Sequence, residues 1–295
     1  MSVPMLTICA IAKPFRGHFE IIQRNAITSW AKLEPRPEII LFGREEGSAE
    51  CARELGLVHV PDIARNRYGT PLLADIIATA ERRSSTALLA YVNADIILPA
   101  EFTTAAETVH RTFAKFLAVG RRTNLEVCEP LDFCEGWEEK LRERMRREGH
   151  LESHTAIDCF LFPRSTYEEI PPLAIGRVWF DQWCIKYARK KGLPVVDLTE
   201  FAPMIHQTHD YSHVVGGKQW VYSGIEADEN LVHYGEHPHT YTILNATHSV
   251  TQEGRMRRVF LRKEFFAVRT FLWDIFLHRT QSFRKWLGMS RGARA

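Results

Sequence analysis

The first 60 residues alternate between short apolar runs and amphipathic segments. Apolar runs at 5–12, 38–42 and 57–60 predict three strands, and each run is followed by a loop that contains glycine or proline. Between them, apolar residues in 18–33 recur at helical spacing, and 49–55 predicts a shorter helix. A β-α-β-α-β order is typical of a parallel sheet with helices packed on it, so the sequence predicts an α/β fold.

The next apolar run leads directly into two polar residues. Leu88 to Val92 is typical of a strand buried on both faces, and Asn93-Ala94-Asp95 follows where that strand is predicted to end. Side chains two positions apart in an extended segment point to the same side, so Asn93 and Asp95 face one edge of the sheet. Carboxyl ends of such strands usually hold the ligand, and oxygen-bearing side chains suit a divalent cation and the phosphates it bridges. A strand that merely ends in a polar turn is the alternative.

Histidines concentrate in the second half of the chain. Seven of the thirteen lie between His206 and His248. The spacing of His206, His209 and His213 could supply a metal site, and several neutral imidazoles favour zinc. The stretch follows Pro203 and contains turn-forming residues, so we expect a loop with a single ligating histidine instead of a three-histidine zinc site. A surface loop whose histidines bond to backbone is the alternative.

Composition narrows the class of protein. Hydrophobic residues make up 45% of the chain and charged residues 25%, as in soluble globular proteins. No apolar run approaches the ~20 residues of a membrane span, and residues 1–13 lack the basic start of a signal peptide. The six cysteines are scattered and include no Cys-x-x-Cys pair. Reduced thiols, and therefore a cytoplasmic location, are the simplest expectation.

Positive charge is concentrated at the C-terminus. Residues 255–295 contain eleven Lys or Arg and two acidic residues. We expect a catalytic domain over 1–250 and a basic amphipathic helical segment over 251–295. Basic helices rich in aromatic residues can lie in an anionic membrane surface, which makes 255–287 a candidate peripheral membrane contact. The alternative is a helix packed on the body with a solvated basic face, and no nucleic-acid partner is expected.

Together these motifs resemble a known family over roughly residues 5 to 215. Their order is similar to that of the family-2-like nucleotide-diphospho-sugar glycosyltransferases with the GT-A fold. Asn93-Ala94-Asp95 looks like the family's Asp-x-Asp motif with an amide in first place, and 180–183 looks like its acidic motif at a helix start. The resemblance implies a GT-A (Rossmann-like), mostly parallel central sheet flanked by helices, with a C-terminal helical appendage.

The resemblance also implies a metal site. Asp95 would bind Mn²⁺ or Mg²⁺ against the diphosphate of a nucleotide-diphosphate sugar, and Asn93 would contact the ribose or the metal. His209, or else His206 or His213, would be the C-terminal ligand that many members of the family use. With one carboxylate in the motif, the substrate phosphates would supply most of the remaining oxygen ligands.

The resemblance also implies catalytic and donor-binding roles for particular residues. Asp181 would be the base on the acceptor side, and Asp158, in the preceding predicted strand, is the second choice. Lys13, Arg65 and Arg67 are candidates to clamp the diphosphate or the base of the donor, with solvated surface charge as the alternative for each. The acceptor would be a hydroxyl group of a glycan, a lipid-linked sugar or a polysaccharide.

Three rival functions are compatible with parts of the sequence. A nucleotidyltransferase of related fold usually has a Gly-rich loop after its first strand, whereas residues 13–17 contain one glycine. A zinc-dependent hydrolase would use the cluster of His206, His209 and His213. A non-catalytic binding protein would keep the GT-A-like fold without turnover.

Overall fold

The computed structural model describes residues 4–210, 217–235 and 240–259. The strands are β1 (Leu6–Ile11), β2 (Glu38–Phe42), β3 (Val58–Val60), β4 (Leu88–Val92), β5 (Ile96–Ile97), β6 (Leu117–Leu125), β7 (His150–Leu151), β8 (Ile157–Pro163), β9 (Val195–Asp197), β10 (Met204–Gln207), β11 (His248–Val250) and β12 (Met256–Arg258). The helices are α1 (His18–Ala31), α2 (Ser48–Leu55), α3 (Leu73–Arg83), α4 (Glu101–Thr112), α5 (Trp137–Glu148), α6 (Phe180–Lys190), α7 (Gly217–Ser223) and α8 (Ile225–Tyr234), with a 3₁₀ turn over Ile243–Asn245.

The twelve strands of the described ranges join in one sheet. Its main path runs β12-β11-β9-β6-β8-β4-β1-β2-β3, while β10 pairs with β5 and β6, and β7 pairs with β6. Six pairings are parallel and five are antiparallel. The predicted β-α-β-α-β order is confirmed, since β1, β2 and β3 are parallel neighbours. The predicted α/β architecture, with a mostly parallel sheet flanked by helices, is confirmed too.

Both faces of β4 are covered by helices. Leu88, Ala90 and Val92 belong to a core that includes side chains of α1 and α4. Leu89 and Tyr91 point the opposite way, into a core that includes side chains of α3 and α6. Successive residues of a strand face opposite sides of a sheet, so this run of apolar residues fills two cores at once. The predicted doubly buried strand is therefore confirmed, and its polar end emerges between two helical layers.

A short strand pair fixes the chain directly after β4. β5 pairs antiparallel with β10, and this register places Ile96 opposite His206. The buried indole of Trp30 donates to the Ile96 carbonyl at 2.8 Å. The buried side-chain amide of Gln207 donates to the Asp95 carbonyl at 3.2 Å. These bonds hold the backbone at Asp95 and at the residue that follows it.

The C-terminal part of the described chain extends the sheet. β11 is parallel to β9, and β12 folds back antiparallel onto β11. Residues 251–259 thus form a turn and an edge strand, and residues 260–295 of the predicted helical segment lie outside the described residues. The boundary at 250 stays a prediction. Within the described ranges, no helix combines the length and apolar composition needed to cross a membrane.

Candidate active site

One cleft of about 1060 Å³ gathers most of the residues predicted from the sequence. The predicted residues that line it are Lys13, Asn93, Asp95, Asp158, Asp181, His206 and His209. Its volume lies just above the ~300–1,000 Å³ range that is typical of small-molecule sites. The cleft lies where β1 and β4 end, as expected for a parallel sheet.

Two arginines predicted to hold the donor do not line this cleft. Arg65 pairs with Glu45 at 2.7 Å and also donates to a backbone carbonyl of its own loop. Arg67 pairs with Glu229 of α8. The structure therefore uses both side chains to tie the loop after β3 to its neighbours.

Three side chains form a cluster with metal-ligand chemistry. Ligand atoms of Asp95, His206 and His209 all lie within 4.8 Å of one another. Asp95 is 5% exposed, and its Oδ1 is enclosed with no hydrogen-bond partner among the described residues. A buried carboxylate oxygen without a partner is costly, and a bound cation would satisfy it. The sequence predicted one ligating histidine here, and the structure places two beside Asp95.

His206 is held in the tautomer that a metal ligand requires. The amide nitrogen of Asn124 donates to the Glu152 carboxylate at 2.8 Å, so its oxygen faces the His206 ring. His206 Nδ1 lies 3.0 Å from that oxygen and must donate to it. The lone pair is therefore on Nε2. Burial lowers the pKa of His206 to about 4, which keeps the ring neutral at pH 7.

His209 is oriented by the backbone. Its Nδ1 donates to the carbonyl oxygen of Asp210 at 2.6 Å. This bond leaves the lone pair on Nε2, which lies 3.1 Å from Asp95 Oδ2. The ring packs against Phe19, with centroids 5.1 Å apart. Both histidines of the cluster thus present an unprotonated Nε2. They do so from a strand and the loop after it, since His206 lies in β10 and His209 follows β10.

Lys13 contacts the same cluster. Its Nζ donates to Asp95 Oδ2 at 3.1 Å and to His209 Nε2 at 3.0 Å. Burial acts to raise the pKa of Asp95, but the positive charge of the Lys13 ammonium holds it well below the usual range. Asp95 is therefore ionised at neutral pH. The side chain predicted to hold the donor is thus seen bonded to two candidate metal ligands.

Asp158 organises the far side of the cleft. Its Oδ2 accepts from Arg122 at 2.9 Å, and its Oδ1 accepts from the Asn93 side chain at 2.6 Å. Its carbonyl oxygen also accepts from the Asn93 backbone at 2.9 Å. Since the Asn93 amide nitrogen is used in this way, its oxygen is the atom left to contact a ligand.

Asp181 has a different environment from Asp95. Its Oδ2 accepts from Gln182 at 3.0 Å, whereas Oδ1 is enclosed with no hydrogen-bond partner in the described ranges. Burial raises the pKa of Asp181 to about 7, and the negative charge of Asp158 acts in the same direction. A carboxyl that titrates near neutral pH can accept a proton from a bound hydroxyl group.

A strained residue sets the start of the helix that carries Asp181. Trp179 has φ of +82°, a conformation that is uncommon outside glycine. The Trp179 ring packs on Tyr234, with centroids 5.1 Å apart. The backbone N–H of Trp179 donates to Gln182 Oε1 at 2.8 Å. Such strain persists only where surrounding contacts hold it, and it is common at functional sites.

The comparisons with known proteins give only distant structural matches. No protein-family model matches the chain, and no curated protein matches it. One matching structure is that of S. aureus TarS 1-349 in complex with UDP-GlcNAc, at 10% identity and TM-score 0.33, covering 41% of this chain and 35% of that one. The chain thus spans about a third of the length of that TarS chain.

Two further matches cover more of the chain. A protein from Desulfovibrio desulfuricans G20, provisionally assigned as a nucleotide-diphospho-sugar transferase, matches at 12% identity and TM-score 0.41, over 79% of this chain and 99% of that one. The mannosyltransferase PcManGT from Pyrobaculum calidifontis, in complex with GDP-Man and Mn²⁺, matches at 12% identity and TM-score 0.44, over 71% of this chain and 59% of that one.

Proposed function

We propose that the chain is a glycosyltransferase that moves a sugar from a nucleotide-diphosphate donor to a hydroxyl group of an acceptor, assisted by a divalent metal ion. The observation that carries this proposal is that one cleft holds the cluster of Asp95, His206 and His209, whose ligand atoms lie within 4.8 Å of one another, and also the enclosed carboxyl of Asp181. The pKa of Asp95 is held low beside two histidines, whereas the pKa of Asp181 is raised to about 7. Carboxylates whose pKa values are pushed apart in this way suit separate roles as ligand and proton acceptor.

Asp95, His206 and His209 are the residues that would hold the metal. Two imidazoles make Mn²⁺ a better fit than Mg²⁺, which prefers oxygen ligands. When bound, the ion would neutralise negative charge on the departing nucleotide diphosphate. Three protein ligands leave positions for phosphate oxygens, which agrees with a motif that contains one carboxylate.

Asp181 is proposed as the base. The acceptor hydroxyl has a high pKa, and a carboxylate within hydrogen-bond reach removes its proton as the new bond forms. Asp158 is proposed as a positioning residue, because both of its oxygens already accept bonds from Arg122 and Asn93. The oxygen of Asn93 remains available to the ribose or the metal.

A thermal-shift screen tests the donor class. We expect UDP or GDP, or one of their sugar conjugates, to raise the melting temperature, and we expect Mn²⁺ to increase that rise. The full chain would be melted with each nucleotide in the presence of Mn²⁺ and again in the presence of EDTA. Adenosine and free sugars serve as ligands without a diphosphate. No stabilisation by any nucleotide diphosphate or nucleotide sugar would contradict the proposal.

A zinc-dependent hydrolase is the second candidate. The observation that favours it is the ligand set itself, since two histidines and one carboxylate with open positions also bind catalytic zinc. His213, the third histidine of the predicted zinc cluster, lies outside the described residues. Stoichiometric zinc in protein purified from unsupplemented cells, together with hydrolysis that chelators abolish, would support this candidate over the first. A binding protein without turnover would instead keep its function in Asp95→Ala.

The support given to His206 by Asn124 yields a first prediction. Asn124→Leu removes the acceptor for the Nδ1 proton, so the ring can rotate or adopt the other tautomer. We expect Mn²⁺ affinity to fall about 10- to 100-fold, as is common for residues that orient a metal ligand. Electron paramagnetic resonance of unbound Mn²⁺ measures the affinity. Glu152→Gln is the graded control, because it releases the Asn124 amide without removing it, and a smaller loss is expected. Equal affinity in all three proteins would contradict this role.

Association with a membrane and a cytoplasmic location also remain proposals. Residues 260–287 of the predicted membrane contact lie outside the described residues, and the support is the net positive charge and aromatic content of 255–287. We expect the chain to sediment with vesicles that contain anionic lipid about tenfold more than with neutral vesicles, and to dissociate as salt is raised. A chain ending at residue 259 is the matched control. Equal sedimentation with both vesicle types would contradict the proposal.

A further inference from the structure

We propose that Lys13 is a displaceable counter-ion of the metal site. In this view the Lys13 ammonium neutralises Asp95 and donates to His209 when no metal is bound, and it turns to the donor diphosphate when metal and donor enter. The inference rests on the proposed function, and it adds a role for Lys13 in coupling the two binding events.

Lys13 and a metal ion cannot use His209 together. His209 Nδ1 donates its proton to a backbone carbonyl, so Nε2 carries the only in-plane lone pair of the ring. Lys13 Nζ donates to that lone pair at 3.0 Å. A metal ion needs the same lone pair for coordination. Binding of the metal through His209 therefore breaks the bond to Lys13.

Charge adds to this exclusion. Lys13 Nζ, His209 Nε2 and Asp95 Oδ2 form a triangle with sides of 3.0, 3.1 and 3.1 Å. An ion bonded to the last two atoms at about 2.0–2.2 Å would lie within about 4 Å of Nζ on either side of the triangle. A divalent ion and an ammonium repel strongly at that distance in a site that is mostly closed to water.

The surroundings of Lys13 allow the side chain to move while the backbone stays. Gln23 is buried and brackets the Lys13 peptide, because it accepts from the N–H at 2.5 Å and donates to the carbonyl at 2.9 Å. The side chain of Lys13 is 25% exposed, compared with 8% for the side chain of Asp95. Its stem of four carbons is flexible and lines the cleft in which the diphosphate is proposed to bind.

Exclusion of this kind predicts cooperative binding. Metal added alone must displace Lys13, so its apparent affinity is reduced by the stability of the lysine-bound state. A diphosphate gives the ammonium a new partner and gives the metal new ligands. Each ligand should therefore strengthen binding of the other by the same factor.

The experiment measures Mn²⁺ affinity by electron paramagnetic resonance in the full chain, without donor and then with UDP or GDP. We expect Lys13→Met to bind Mn²⁺ at least tenfold more tightly than the wild type when no nucleotide is present, a difference of about 1.4 kcal/mol. Lys13→Arg keeps a cation that can donate to the same atoms and should match the wild type. Lys32→Met removes an exposed lysine at the end of α1 and should also match it. Added nucleotide should strengthen Mn²⁺ binding more in the wild type than in Lys13→Met.

Each other outcome overturns the inference in a distinguishable way. If the wild type binds Mn²⁺ and Lys13→Met binds it equally or more weakly, then Lys13 does not compete and the metal role survives. If neither protein binds Mn²⁺ but both bind UDP or GDP, the site does not hold the metal even without Lys13, and the metal-assisted part of the proposed function fails too. If neither binds metal nor nucleotide, the proposed function as a whole fails. Melting curves of each variant establish that the fold is retained.

Discussion

Asp181→Asn is expected to lower kcat at pH 8 by about 10²- to 10⁴-fold, the range that a general base contributes, and to leave donor binding unchanged. The substitution keeps the shape of the side chain and the acceptor for Gln182, but an amide cannot take a proton from the acceptor hydroxyl. The measurement is steady-state turnover with a donor identified by the thermal-shift screen, together with nucleotide affinity by calorimetry. Loss of donor affinity in parallel with kcat would assign Asp181 to binding instead.

Unfolding does not provide an alternative explanation for that loss. Burial raises the folded-state pKa of Asp181 to about 7, above its ordinary value of 3.8. Ionising this group therefore disfavours the folded state, and the destabilisation grows from the unfolded pKa up to the folded one. Asparagine removes that destabilisation, so we expect the melting temperature at pH 8 to be no lower in the variant than in the wild type. A lower melting temperature would show that the carboxylate has a structural partner.

The pH profile gives a control within the same cleft. If Asp181 is the base, kcat of the wild type should fall as the pH drops through about 7, because the protonated carboxyl cannot accept a proton. Asp158→Asn removes a negative charge that raises the Asp181 pKa and releases the Arg122 guanidinium, which lowers it. The midpoint of the profile should therefore move to lower pH in Asp158→Asn. A midpoint that does not move would contradict electrostatic contact between the two carboxylates.

The parts of the fold that follow from local patterns were predictable from the sequence. Three strands and two helices in the first 60 residues, and the doubly buried strand before Asn93, are determined by periodicity within single segments. The start of α3 was harder to predict from the sequence. Thr70 and Pro71 favour a helix start there. The backbone of Leu72 is instead extended and forms a β-bridge with Ala174, so the helix begins at Leu73.

The histidine pair was only partly predictable, because its geometry depends on residues distant in sequence. The stretch after Pro203 was predicted to be a loop, which is wrong for Met204–Gln207. These residues form β10, since all four pair with the distant strand β6, and Ile205 and His206 also pair with β5. This pairing brings His206 to Asp95. The apolar pair Met204-Ile205 was a weak signal for a strand, but nothing local indicates its partner.

Charged residues were the least predictable class. The sequence offers Lys13, Arg65 and Arg67 as equivalent loop cations near the donor site. The structure separates them, because Glu45 and Glu229 lie close enough to pair with the two arginines, whereas Lys13 follows β1 directly. Ion-pair partners are set by the packing of loops, which leaves no periodic signal in a single sequence.

Asp95→Asn is expected to weaken Mn²⁺ binding by about 10²-fold or more, and to reduce turnover at limiting Mn²⁺ by a comparable factor. The amide keeps the size of the side chain, but it offers one weak oxygen ligand in place of a charged carboxylate. The fold should survive, since the Asp95 carbonyl, which accepts from Gln207, is unaffected. Mn²⁺ affinity is measured by electron paramagnetic resonance, and turnover is measured across a Mn²⁺ titration.

The same variant separates two roles of Asp95. If its carboxylate acts as a metal ligand, excess Mn²⁺ should restore part of the turnover, because His206 and His209 still present their Nε2 atoms. If it acts only to hold Lys13, turnover should not respond to Mn²⁺ at any concentration. Asp62→Asn is the matched control, since that carboxylate is exposed, pairs with Arg44 and does not line the cleft. We expect the control to keep wild-type affinity, so a loss shared by both variants would contradict a specific role for Asp95.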